Sequence, residues 1–146
     1  MAKKILKIDF SSSIDFTLAG IICGFRNYRL CFELNRTFSL NLERIDDICL
    51  PAGLPGSETR HACYCHKDSD GRWLHLVSNK DRDGTGFFVP EMRNIDYFLL
   101  VTENADDYLM DNFIPKLRDV NIISGAYEID PVQLKSASAF IYVLER

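Results

Sequence analysis

Two strand-like runs on either side of a turn signal constrain this chain more than any other feature. Residues 60–66 and 72–79 are rich in apolar and aromatic side chains, and the segment Asp68–Gly71 separates them. Aspartate and glycine tolerate the positive φ angles that tight turns require. The pattern therefore predicts a β-hairpin, and with it an antiparallel sheet.

Further predicted elements flank this hairpin. Alternating or continuous apolar runs predict strands at 4–10, 15–24, 42–50, 60–66, 72–79, 95–102, 120–129 and 139–144. Helical spacing predicts helices at 28–38 and 105–118, and a capping box begins a short helix at Asp130. Strand runs between isolated helices predict an α+β fold, in which two main helices and one short helix pack on one face of a largely antiparallel sheet.

Length and charge bound the class of protein. A chain of 146 residues predicts a single domain, 1–146. The formal net charge of −4 argues against nucleic acid or an anionic membrane as partner, because affinity for phosphates comes from clustered Lys and Arg. The start lacks the apolar core of a signal peptide, and no stretch approaches the roughly 18 apolar residues of a membrane span. We therefore expect a cytoplasmic protein with reduced cysteines.

The segment Val89–Tyr97, which reads V-P-E-M-R-N-I-D-Y, is not explained by core periodicity. It resembles the signature of a bacterial family named after it, the IPExxxVDY family, with Val for Ile at the first place and Ile for Val at the seventh. Further resembling segments are Tyr28–Asn35, Arg44–Asp47, Ser78–Lys80 and Ile129–Pro131. The resemblance implies one complete family member. The family has no assigned activity, so the resemblance carries over no catalytic role.

Two interpretations of this signature stay open. In the structural one, Glu91 or Asp96 accepts hydrogen bonds from backbone N–H groups of the loop, and Tyr97 buries its ring with its hydroxyl bonded. In the functional one, Pro90, Glu91, Asp96 and Tyr97 form a recognition surface for a peptide or a small ligand. Carboxylates beside a proline turn commonly fix the turn, which favours the structural interpretation.

Soft metal ligands follow one another on the first strand of the hairpin. His61, Cys63 and Cys65 share one face of that strand, and His75 on the next strand would be a fourth ligand to zinc. The spacing is not that of a zinc knuckle, and free cysteines are among the most buried residue types. We therefore expect no metal and no cofactor, and keep a zinc-stabilised module as an alternative.

The functional prediction depends on the absence of known catalytic motifs and on the aromatic residues of the sequence. The sequence contains neither a nucleophile elbow nor a phosphate-binding glycine motif. Trp73 and His75 share a strand face opposite Leu74 and Leu76, so helices on the leucine face would leave an apolar surface that meets a partner. We expect a non-catalytic protein–protein interaction or regulatory module that forms a homodimer. The alternative is a small-ligand-binding protein or enzyme with its pocket at Val89–Tyr97.

Overall fold

A six-stranded antiparallel sheet organises residues 16–52, 55–84, 86–102 and 113–145, the part of the chain that the computed structural model describes. Its strands are β1 (Phe16–Ile22), β2 (Glu43–Pro51), β3 (Glu58–Lys67), β4 (Trp73–Ser78), β5 (Tyr97–Thr102) and β6 (Gly125–Ile129). The helices are α1 (Asn27–Phe38), α2 (Ile114–Leu117) and α3 (Phe140–Leu144), with 3-10 turns at Pro90–Met92, Pro131–Gln133 and Ala137–Ala139. The predicted α+β fold class is confirmed.

The β-hairpin predicted from the sequence is formed by β3 and β4. The two strands pair in antiparallel register, with Cys65 opposite His75 and Cys63 opposite Val77. In the turn, Asp68 accepts hydrogen bonds at Oδ1 from the backbone N–H groups of Asp70 and Arg72. Gly71 has a φ of 87°, which a residue with a side chain rarely adopts. The turn chemistry therefore closes the hairpin as predicted.

The spatial order of the strands is β2-β3-β4-β5-β1-β6, and every neighbouring pair is antiparallel. This order places β1 between β5 and β6, away from its sequence neighbours. Its residues from Phe16 to Ile21 are all buried, as both sides of an interior strand should be. The prediction of an interior strand from an apolar run on both faces is confirmed.

Helices cover both faces of the sheet, and not one face as the sequence indicated. On the first face, Leu30 and Leu34 of α1 and Leu117 of α2 pack in one core cluster with inward side chains of β1, β4 and β5. On the second face, Phe140 and Val143 of α3 pack in another cluster with the opposite side chains of the same strands. Two buried layers explain why β4 and β5 are buried on both sides.

The segment 139–144 forms helix α3, so the prediction of a closing strand there was wrong. Phe140 and Val143 are buried, and this i, i+3 spacing belongs to a helix. The ring of Phe140 lies 5.1 Å from that of Phe88 and 5.4 Å from that of Phe98, between ring centroids. These contacts come from distant parts of the chain and decide between two periods that a short apolar run fits equally well.

Other predicted elements differ in their bounds. The strand predicted at 120–129 is confirmed only for β6. The residues before β6 form turns, in which the Val120 N–H donates to the Leu117 carbonyl and the Ile123 N–H donates to the Val120 carbonyl. Helix α1 begins one residue earlier than predicted, at Asn27, whose Oδ1 accepts the Tyr64 hydroxyl at 2.6 Å. The strand predicted at 4–10 and residues 105–112 of the predicted helix lie outside the described residues.

Candidate functional site

The signature segment starts with a sharp change of backbone direction at Pro90. Val89 is extended, with φ of −123° and ψ of 93°, as the residue before a proline should be. Pro90 then opens the 3-10 turn that ends at Met92, and β5 begins at Tyr97. Pro90 and Glu91 lie at the protein surface, whereas Val89, Ile95 and Tyr97 are buried. Only part of the signature is therefore accessible to a partner.

The fully buried side chain of Asn79 holds this segment in place. Its Nδ2 donates to the carbonyl oxygens of Met92 at 2.9 Å and Ile95 at 2.8 Å. Its Oδ1 accepts the N–H of Val89 at 2.8 Å. The Asn79 backbone adds two further bonds, to the Asp96 carbonyl and from the Phe88 N–H. The resembling step Ser78–Lys80 and the signature are thus two parts of one hydrogen-bonded unit.

Glu91 fastens the signature to the C-terminal part of the chain. Its Oε2 accepts the backbone N–H of Ser136 at 2.8 Å, and its Oε1 accepts the Ser136 hydroxyl at the same distance. Partial burial alone would raise the pKa of Glu91, but the hydrogen bonds from Ser136 and from the Glu91 and Lys135 backbone together lower that pKa below its usual value. Glu91 accepts a backbone N–H as predicted, but the donor lies outside the loop.

Replacing Glu91 with alanine is expected to lower the free energy of unfolding by about 1 kcal/mol, because two hydrogen bonds to a charged but solvent-accessible acceptor are lost. Because the folded-state pKa of Glu91 is depressed, this contribution exists at neutral pH and disappears as the pH falls through that pKa. Urea denaturation measures the change. Glu128→Ala, at an exposed acid on β6, is the control. Equal stabilities of the two variants would contradict the structural role.

Asp96 and Tyr97 fasten the chain that leaves β1. Asp96 Oδ2 accepts the N–H of Cys23 at 2.8 Å, and the Tyr97 hydroxyl donates to the Phe25 carbonyl at 2.6 Å. Burial raises the pKa of Tyr97 well above its usual value, so the hydroxyl stays protonated and remains a donor. Both side chains therefore position the residues that lead into α1.

The other resembling segments make similar internal contacts. Asn35 exchanges two hydrogen bonds with the backbone of Leu42, which fixes the connection between α1 and β2. Arg44 forms an ion pair with Asp47 on β2. Asp130 accepts the N–H of Val132 and so caps the turn that follows β6. Asn35 and Asp130 thus stabilise changes of backbone direction, and the Arg44–Asp47 pair spans the irregularity in the β2–β3 pairing between Ile45 and Ile48.

A cleft of about 330 Å³ borders the signature. Its walls include Asp96 and Tyr97, the start of α1, and three basic residues, Arg26, Lys80 and Arg82. Asp81 also lines it and accepts the backbone N–H of Arg60 at 2.8 Å. The walls combine charges of both signs with backbone groups, and positive side chains outnumber negative ones. Arg82 is also paired with Asp47 at 3.2 Å, so the cleft suits a small polar ligand better than an apolar one.

The zinc alternative involved His61, Cys63, Cys65 and His75. Both ring nitrogens of His61 lie within hydrogen-bond distance of other atoms, Nδ1 at 3.0 Å from the Ser78 carbonyl and Nε2 at 2.9 Å from the Thr59 hydroxyl. Among the described residues, no three histidine, cysteine or acidic side chains are grouped closely enough to hold a metal ion. The geometry thus gives the zinc alternative no support.

The sheet face that carries Trp73 is mostly covered. His75 and Val77 on the same face are buried, and Val77 belongs to the core cluster of Phe88 and Phe140. Trp73 itself is partly exposed, with the Lys67 ammonium 5.4 Å from its ring centroid. The extended apolar surface expected around Trp73 is therefore not formed, because helix α3 occupies the face that the sequence had left open.

An exposed aromatic row lies instead on the solvent side of α1. Phe25, Tyr28 and Phe32 are 50%, 65% and 60% exposed; Tyr28 and Phe32 lie one turn apart on one face of α1, and Phe25 lies two residues before the helix begins. Together with Arg29 and Arg36 on the same side, they are called here the α1 outer face. Helical spacing predicted this helix, but the exposed aromatic residues Tyr28 and Phe32, four residues apart, were not predicted to form a site.

Comparisons with known proteins add no relative. No protein-family model, no curated protein and no solved structure matches this chain. Among the described residues, no helix is both long and apolar enough to cross a membrane.

Proposed function

We propose that this chain is a non-catalytic protein-binding module of the cytoplasm, and a member of the IPExxxVDY family that its signature resembles. The α1 outer face carries the proposal. Two exposed aromatic side chains of α1 and a third just before the helix lie on the side opposite the buried residues of α1. Contiguous exposed apolar surface commonly marks an interaction site, and aromatic and arginine side chains dominate binding energies at such sites.

The bonding of the signature supports the non-catalytic part of the proposal. Glu91, Asp96 and the Tyr97 hydroxyl each hold another part of the backbone. Tyr97 and Asp96 hold the segment from Cys23 to Phe25, so they orient the first ring of the α1 outer face. In this proposal the polar groups of the signature position a binding surface and do not act on a substrate.

Affinity capture tests the proposal. The tagged wild-type chain is expected to recover a stoichiometric partner from native cells. A Tyr28→Ser, Phe32→Ser double variant is expected to lose that partner, since both rings are exposed and their removal leaves the core intact. Tyr142→Ser, which removes an aromatic ring of α3 that is 45% exposed, is the control and should keep the partner. Repeated recovery of the bare wild-type chain, or equal recovery with all variants, would contradict the proposal.

Self-association, which the sequence also predicted, would have to use a surface other than the α1 outer face and is tested separately. A homodimer is expected to show twice the monomer mass in light scattering of the purified chain. A small-ligand-binding protein is the second candidate function, favoured by the polar cleft beside Asp96. A ligand of that cleft would raise the unfolding temperature of the isolated chain, with no protein partner present.

A further inference from the structure

The α1 outer face is positively charged, although the whole protein has a net charge of −4. Arg29 and Arg36 each form an ion pair with Glu33, at 3.6 Å and 2.7 Å. The side chains of both arginines are more than half exposed, while that of Glu33 is largely buried. One carboxylate thus serves two guanidinium groups, and the face that meets solvent is basic.

Each arginine of this face lies beside an exposed ring. The guanidinium carbon of Arg29 is 5.8 Å from the Phe25 ring centroid, and that of Arg36 is 6.0 Å from the Phe32 ring centroid. A guanidinium group has five N–H donors, and one shared carboxylate cannot accept them all. A partner that places an apolar side chain on a ring therefore meets unused donors directly beside it.

The size and charge of the face favour a short segment over a second copy of this chain. An aromatic side chain presents 150–250 Å², so the exposed fractions leave roughly 300–400 Å² of ring surface. A stable dimer buries about 800 Å² per partner. A two-fold contact through this face would also bring the arginines of both copies together, and like charges across an interface disfavour association.

We propose that the α1 outer face binds short acidic segments of a partner protein, in which aspartate or glutamate flanks an aromatic or aliphatic anchor. The anchor packs on Tyr28 and Phe32, and the acidic side chains accept hydrogen bonds from Arg29 and Arg36. This inference rests on the proposed protein-binding function. Nucleic acid fits the face less well, because phosphate affinity needs many basic contacts and this face is isolated on an acidic protein.

Selection from a displayed library of random 12-residue peptides tests the inference. The full-length wild-type chain is expected to enrich peptides that combine acidic residues with an aromatic or aliphatic anchor. An Arg29→Glu, Arg36→Glu double variant is expected to bind the same peptides about tenfold more weakly, since two ion pairs are replaced by two repulsions. Fluorescence anisotropy of one labelled, enriched peptide gives the affinities, and added salt should weaken binding.

Controls separate charge from folding. Arg93→Glu removes a guanidinium that also lies over an aromatic ring, that of Phe87, and should leave peptide affinity unchanged. If the double glutamate variant does not fold, an Arg29→Gln, Arg36→Gln variant replaces it, and this variant is expected to show a smaller loss of peptide affinity. Enrichment of neutral or basic peptides would overturn the inference, as would tighter binding to a single-stranded 12-nucleotide RNA or to phosphatidylserine vesicles. If native capture still yields a partner dependent on Phe32, only the acidic chemistry fails and the proposed function stands.

Discussion

Replacing Asn79 with alanine is expected to lower the free energy of unfolding by about 3–5 kcal/mol. The substitution removes three side-chain hydrogen bonds in a fully buried site. It also leaves the Val89 N–H and the Ile95 carbonyl without these partners, and each such buried group costs free energy on its own, whereas the Met92 carbonyl still accepts the Ile95 N–H. Urea denaturation at neutral pH measures the loss.

A control substitution inside the signature shows whether replacing any asparagine beside these hydrogen bonds lowers stability. Asn94 is exposed, so Asn94→Ala is expected to change stability by less than about 0.5 kcal/mol. Hydrogen exchange adds a local reading, because the Val89 amide should exchange faster in Asn79→Ala than in Asn94→Ala. A loss below about 1 kcal/mol for Asn79→Ala would show that water or a shifted backbone replaces these bonds.

The second large effect concerns pH and arises from His75. Its side chain is 3% exposed, and within the described residues neither ring nitrogen has a hydrogen-bond partner. Burial lowers the pKa of His75 from 6.5 to about 4. The unfolded chain therefore binds a proton in this window while the folded chain does not, so stability falls as the pH falls from 6.5 to 4. At roughly 1.4 kcal/mol per pH unit, the loss is about 3 kcal/mol.

A His75→Leu variant isolates this contribution. Leucine removes the buried polar atoms, so the variant is expected to be more stable than wild type at neutral pH by about 1 kcal/mol. Its stability should also fall less between pH 6.5 and pH 4 than that of wild type. A residual acid slope is expected, because burial also lowers the pKa of His61. Urea denaturation across this range gives the difference, and identical acid slopes for variant and wild type would contradict the prediction.

Local patterns predicted most of the sheet, because they agree with the final environment. The apolar run at β1 is buried on both sides, and the Asp68–Gly71 turn closes the hairpin through its own side chain and its own φ angle. The segment at 139–144 behaves differently. Its short apolar run fits a strand and a helix, and the choice depends on Phe88 and Phe98, which no local window contains.

The candidate site was less accessible to sequence reasoning for a related reason. The signature named Glu91 and Asp96 as acceptors, but their donors, Ser136 and Cys23, lie far away in the chain. The α1 outer face was available in principle, since Tyr28 and Phe32 are one helical turn apart. It was missed because helical periodicity was used to find the buried stripe, and the exposed side of a helix has no such rule.

The position of β1 between β5 and β6 has a consequence for biosynthesis. A ribosome releases this apolar segment early, and both strands that pair with it emerge much later. Contacts between residues distant in sequence form slowly, and an unpaired apolar strand is prone to aggregation while it waits. β1 is therefore expected to complete its pairing only after β6 has left the ribosome, and chaperone binding would protect it until then.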